Sequence, residues 1–170
     1  SIGRAMPSVE LRVVDDDDNE VAAGESGELL INSPARFTGY LNRPDETAEV
    51  LDGDWFRTAD IATISKDGFV RIVGRKKEMI LRGGYTVSAG EIEAMLATHP
   101  KISEAAVIGV PDRDLGEDIA AFITLRPGME LAPDEVVEYC RERMASYKYP
   151  RRVRIQDELP KGPTGKVAKL

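Results

Sequence analysis

The chain has 170 residues, 42% of them hydrophobic, and a formal net charge of −7. That length is enough for one ordinary domain or two small ones with a real apolar core, and the negative balance disfavours nucleic acid as the main partner. One cysteine, Cys140, excludes an internal disulfide, and one histidine, His99, leaves a His/Cys metal site without ligands.

The first part reads as β. "VELRVVD" (residues 9–15) alternates and runs into "DDDDNE", a polar cluster that lacks the glycine and distal glutamate of a calcium loop and reads as a hairpin tip. "GELLINS" is a second strand. "PDETAEVL" predicts a short helix with Asp45 and Glu46 in its first turn, where the dipole favours negative charge. The apolar runs Ile61 to Ile64 and Phe69 to Val73 flank "KDG", a hairpin signal.

After Arg75 the character changes. "KKEMILRGGYTVSAG" predicts a short strand and a glycine loop leading to a helix from Ala89 to Thr98, with Ser88 and Glu91 as a capping box. "EAAVIGVPD" and "DIAAFITLRPG" read as strands buried on both faces or centrally placed. "APDEVVEYCRERMASYK" is an amphipathic helix with Val136, Val137, Cys140 and Met144 on one side, and Cys140 reads as an inert, partly buried thiol. "RRVRIQD" is a last strand. Its basic cluster, Lys148 with Arg151, Arg152 and Arg154, suits a solvated edge strand or a local anion contact. The fold class is α+β: a β-rich segment over residues 1–76, then a small domain over 77–170 with two helices on a short mixed sheet.

Few groups offer chemistry by themselves. A Ser-His-Asp triad would need His99, which precedes Pro100 at a predicted helix end. "GPTGK" lacks the spacing and the strand–loop–helix context of a phosphate loop. No apolar run approaches the roughly 18 residues of a membrane span, and no secretory leader is visible; a cytoplasmic location is expected. The chain starts at "SIGRAMPSVE" without an initiator methionine, as a fragment of a longer protein would.

The ordered set "WFRTAD", "GFVRIVGRKKEMILRGGYTVSAGEIE", "HPKISEAAVIGVPDRDLGEDIAAFI" and "YKYPRRVRIQDELPKGPTGKVAKL" resembles the adenylate-forming enzymes: acyl-CoA synthetases, peptide-synthetase adenylation domains and luciferases. The resemblance covers nearly the whole chain. It implies that residues 1–76 are the end of a large N-terminal domain and residues 77–170 its mobile C-terminal domain. The family's phosphate loop, acyl pocket and magnesium-holding carboxylate would then lie upstream.

Residue by residue, the resemblance assigns Asp60 to the ribose hydroxyls of ATP, a task suited to a carboxylate with two acceptor oxygens. The family usually has glycine at Ala59. Arg75 matches a second nucleotide contact, Lys77 the hinge, and Gly83 with Gly84 the lining of the pantetheine tunnel. Leu115 stands in a loop that often contacts coenzyme A, but the family prefers a larger residue there and no role is assigned. Lys166, in the last motif, matches the catalytic lysine. A cation between a substrate carboxylate and the α-phosphate of ATP offsets anion repulsion in the transition state. Lys169, three residues on, is expected to be a passive tail residue whose loss is nearly silent.

The implied function is that of an acyl-CoA synthetase: a carboxylic, fatty-type acid and ATP give acyl-AMP, and coenzyme A then gives the thioester. ATP, coenzyme A and magnesium are the implied cofactors, and the partners are the acid and the chain's own N-terminal domain, with no nucleic acid and no integral membrane segment. The alternatives are an enzyme that loads a carrier protein and a non-catalytic partner-binding module.

Overall fold

In the computed structural model, the described residues are 1–163, 165 and 167–169. The chain divides into two compact units, Ser1–Lys77 and Glu78–Leu170.

The first unit is a five-stranded antiparallel sheet with one helix. Strands β1 (Glu10–Val14) and β2 (Ser26–Asn32) pair, followed by helix α1 (Pro44–Val50), β3 (Leu51–Asp52), β4 (Trp55–Ile64) and β5 (Val70–Arg75), and the sheet order is β1-β2-β4-β3 with β5 also on β4. Alternating apolar residues put Val13, Leu29, Ala62 and Val70 on the inner face. The acidic cluster is a turn: Asp15 Oδ1 accepts the backbone N–H groups of Asp17 and Asn19. Those bonds, that of Asn19 foremost, hold the Asp15 carboxyl below the ordinary aspartate range. Helix α1 starts on Pro44, whose fixed φ fits the first helical position, with Asp45 and Glu46 beside the N-terminus. The "KDG" turn joins β4 to β5, with Gly68 at φ 79°.

The second unit is α+β. Strands β6 (Met79–Arg82) and β7 (Tyr85–Ser88) lead into helix α2 (Ala89–Ala97); then come β8 (Ile102–Asp112), β9 (Gly116–Leu125), helix α3 (Pro133–Arg141) and β10 (Arg152–Ile155). Strand β9 is central, with β8 antiparallel, β10 parallel and β6 meeting it at the Arg82–Gly116 pair. The consecutive buried residues Ile119, Ala120 and Ala121 follow from that position, with Ile119 and Ala121 packed in the core with α2 and α3, and strands on both sides of β9. Ile92 and Leu96 of α2 and Val136 and Cys140 of α3 complete the core. Burial pushes the Cys140 thiol up to about 11.

Three elements depart from the sequence expectation. Strand β8, expected to be buried on both faces or central, pairs with β9 alone and buries only Ile102, Ala106 and Val107. The glycine loop is a hairpin: Gly83 (φ 57°) and Gly84 (φ 82°) form a two-residue turn with Arg82 opposite Tyr85, and the four-residue β7 stands between the glycines and the helix. Positive φ at both central residues is the turn whose twist matches paired strands. Helix α3 stops at Arg141, well before Lys148. Its last turn tightens, with Arg143 N–H on the Cys140 carbonyl, and the chain then bends so that the Tyr147 carbonyl accepts from Arg82 Nη1 at 2.8 Å. Among the caps, Ser88 Oγ accepts from Glu91 N–H as expected, while the Glu91 carboxylate takes the Lys148 ammonium at 2.9 Å.

Candidate functional site

In the first unit the chemistry gathers at a bulge in β4. The β2–β4 register passes from Glu28 opposite Ile61 to Leu30 opposite Arg57, so Thr58, Ala59 and Asp60 face the single residue Leu29. Extra residues in one strand bend it and re-aim its side chains. Thr58 Oγ1 donates to the Leu29 carbonyl at 2.8 Å and accepts from Asp60 N–H at 3.0 Å. Ala59 takes φ 56°, the left-handed region, which explains why the resembling family uses glycine there.

The bulge turns Asp60 toward β5. Its Oδ1 lies 2.9 Å from Arg75 Nε, and Arg75 Nη1 donates to the Thr58 carbonyl at 3.3 Å. The two residues that the sequence comparison singled out for the nucleotide are thus register partners and an ion pair. The Asp60 side chain is 24% exposed, so the carboxylate is sheltered yet reachable. Next to Arg75 in the chain, Lys76 Nζ reaches the buried Glu28 at 3.1 Å, and Arg57 reaches the same carboxylate at 3.4 Å. The hydrogen bond to Glu28 is the main reason the Lys76 pKa lies above the usual lysine value. This network was missed in the sequence; its only trace is an acid at an inward position of "GELLIN". Lys77 is exposed in a 3-10 turn, Lys76–Glu78, and is the last residue of its unit.

In the second unit Gly83 and Gly84 sit at the tip of the β6–β7 hairpin. Gly83 N–H donates to the Leu115 carbonyl at 2.8 Å, and a Cβ on Gly83 would stand 3.3 Å from Leu115 Cδ2; one on Gly84 would meet nothing within 4 Å. A shallow cleft of about 190 Å³ beside them is lined by Arg82, Tyr85, Leu115, Tyr147 and Arg151. Tyr85 stacks on Tyr147 with centroids 4.3 Å apart. Behind the turn lies a charge network that the sequence did not reveal. Arg82 is 3% exposed, and its Nε stands 2.9 Å from Asp118 Oδ1 without hydrogen-bond alignment; Arg152 lies 3.6 Å from Asp118 and 3.0 Å from Asp112. Backbone N–H groups of Asp114 and Leu115, more than Arg152, hold the Asp112 carboxyl below its ordinary range. Arg152 therefore does more than decorate a solvated edge: it ties β10 to the β8–β9 turn.

Lys166, the expected catalytic residue, lies outside the described residues. Its sequence neighbours do not form a frayed tail. Leu159 is 1% exposed, Lys161 and Val167 pair in an antiparallel bridge, and Ala168 N–H donates to the Pro160 carbonyl at 2.8 Å. Lys169 overturns its expected passivity: its ammonium meets Glu78 at 2.6 Å and Glu93 at 2.9 Å, with the side chain 22% exposed. Burial alone would lower its pKa, but the hydrogen bonds it donates to both carboxylates win and raise it. Among the described residues, no three His, Cys, Asp or Glu side chains gather to hold a metal ion, and no magnesium ligand is assigned. No described helix is long and apolar enough to cross a membrane.

The units match two models of one enzyme group. Residues 1–41 match that of the AMP-binding enzyme, and residues 91–166 that of the AMP-binding enzyme C-terminal domain. The chain belongs to the AMP-binding, adenylate-forming enzyme superfamily. A long-chain-fatty-acid–CoA ligase of Yersinia pestis is 46% identical over 98% of the chain, which spans 30% of that relative's length. Among solved structures, ATP-bound MatB from Rhodopseudomonas palustris is 34% identical with a TM-score of 0.86, over 97% of this chain and 33% of that one. The amide bond synthetase McbA from Marinactinospora thermotolerans is 34% identical with a TM-score of 0.86, over 98% of this chain and 34% of that one.

Proposed function

We propose that the chain is the C-terminal portion of an AMP-forming acyl-CoA synthetase that activates a fatty-type carboxylic acid. The observation that carries this reading is the 46% identity to a long-chain-fatty-acid–CoA ligase along nearly the whole chain. Three features suit it. Asp60, aimed by its bulge and steadied by Arg75, offers two acceptor oxygens to a pair of ribose hydroxyls. Lys77 stands at the border of the two units, where a swivel would act. Gly83 and Gly84 present bare backbone, leaving space for a narrow thiol-bearing arm.

In this reading ATP and the acid form acyl-AMP and pyrophosphate, with the Lys166 ammonium between two anions that would otherwise repel. The C-terminal unit then turns about Lys77, and the glycine hairpin replaces Lys166 at the reacting carbonyl for attack by the coenzyme A thiol. The test is exchange of labelled pyrophosphate into ATP by the full-length protein across acids of increasing chain length, then coenzyme A-dependent thioester release. Exchange stimulated by fatty acids supports the assignment; exchange with none of the acids contradicts it.

A second reading concerns the acceptor alone. The likeness to an amide bond synthetase means that this fold also serves a protein described as forming amides. Release of the adenylate to an amine in preference to coenzyme A favours that reading.

A further inference from the structure

We propose that Lys169 is a positioning residue: clasped between Glu78 and Glu93, it fixes the C-terminal return of the chain and so sets the stretch between residues 161 and 167 that carries Lys166. The inference rests on the reading of Lys166 as the adenylation lysine.

Ordering a lysine costs side-chain entropy, and exposed ion pairs seldom offset that. Lys169 differs from such pairs. Two carboxylates from separate elements converge on it, at 2.6 Å and 2.9 Å. Glu93 is the more sheltered of the two, its side chain 22% exposed against 40% for Glu78. Glu93, on α2, also accepts the Val107 backbone N–H of β8 at 2.7 Å, so the clasp is bolted to a helix and an edge strand together. Glu78 follows the proposed hinge Lys77 directly, which links the end of the chain to the place where the unit would turn.

The rest of the return is built for the same anchorage. Val167 and Ala168 line an apolar pocket of about 210 Å³ with Ala106, Ile108, Phe122 and Leu159. Val167 bridges Lys161, which itself lies 2.9 Å from Glu104. The described residues on either side are therefore held: Lys161 and Val167 to each other, and Lys169 to its two carboxylates. A catalytic cation must be held to within about 1 Å, and misplacement on that scale costs up to about 100-fold in rate. Without Lys169, Glu78 and Glu93 would face each other as bare anions and the return would loosen.

The test has two arms. In this chain, amide hydrogen exchange at Ala168 is followed for wild type, Lys169→Ala, Lys169→Arg and the Glu78→Gln/Glu93→Gln pair. Protection should fall at least about tenfold in Lys169→Ala and in the double glutamine variant, and survive in Lys169→Arg. In the full-length protein, Lys169→Ala should slow adenylation by about 10- to 100-fold, Lys169→Arg should recover most of it, and thioester formation from supplied acyl-AMP should be unchanged. In a Lys166→Ala background, Lys169→Ala should add nothing, since it acts through Lys166. Unchanged Ala168 protection in Lys169→Ala overturns the clasp whatever the kinetics. Lost protection with normal adenylation overturns the positioning role. A silent Lys166→Ala overturns the catalytic reading itself, and is recognised separately because the exchange arm is independent of it.

Discussion

Ala59 shows how much a single position can carry. Its φ of 56° lies in the left-handed region, where a Cβ crowds the following carbonyl at a cost of about 1–2 kcal/mol. Ala59→Gly removes that strain but frees the unfolded chain, which returns about 0.4–1 kcal/mol of it. The expected net is a stabilisation of about 0.5–1 kcal/mol, read as a higher urea midpoint at constant slope; a lower midpoint would show that the bulge holds Ala59 by contacts worth more than its strain. Asp118 is the opposite case. It neutralises Arg82 where both are buried, so Asp118→Ala should cost about 3–5 kcal/mol by stranding the guanidinium. A loss under about 1 kcal/mol in denaturant titration would mean that water reaches the pair freely. Cys140 should be chemically silent. Its pKa of about 11 and 0% exposure keep it protonated and out of reach, so at pH 8 it should react with a disulfide reagent only as the protein unfolds. Rapid labelling of folded protein would contradict that.

At the scale of elements, the sequence displayed most of the fold through its periodicities, and the failures have physical causes. Alternation in "ELRVV" and "GELLIN" and the unbroken apolar run of "DIAAFITL" announced strands and even the centrality of β9. Strand β7 was invisible because four residues wedged between a glycine turn and a helix cap give no period to count. Helix α3 ran long in the sequence because Met144 continued its stripe, while the real chain bends early to bring Tyr147 under Arg82. Of the candidate site, Asp60 and Arg75 were legible because the motif marks them, although their direct pairing was not. The Lys169 clasp and the Arg82–Asp118 network were illegible: charges 91 or 36 residues apart in sequence carry no local signal of meeting. The hairpin also changes what Gly84→Leu tests. Space is open around Gly84, but φ 82° strains any side chain, so a stability loss of about 1–2 kcal/mol is expected. In the full-length protein the same variant should spare adenylation and cripple thioester formation. An equal fall in both half-reactions would make the glycines a turn requirement and nothing more.

At the scale of the whole molecule, the two units differ in what they can sustain alone. The second has twelve buried residues in one core cluster, and the first has four. Residues 78–170 should therefore fold cooperatively by themselves, and residues 1–77 should exchange faster; equal, high protection in both pieces would contradict this. The chain spans about 30% of the length of its long-chain-fatty-acid–CoA ligase relatives, and the proposed adenylation is a property to be measured on the full-length protein. The sharpest test of that assignment is the rate of each half-reaction in full-length Lys166→Ala. Formation of acyl-AMP should slow by about 10²–10³, the scale of losing one electrostatic stabiliser, while conversion of supplied acyl-AMP and coenzyme A to thioester stays near wild type. A variant that adenylates normally, or that loses both steps equally, contradicts the account.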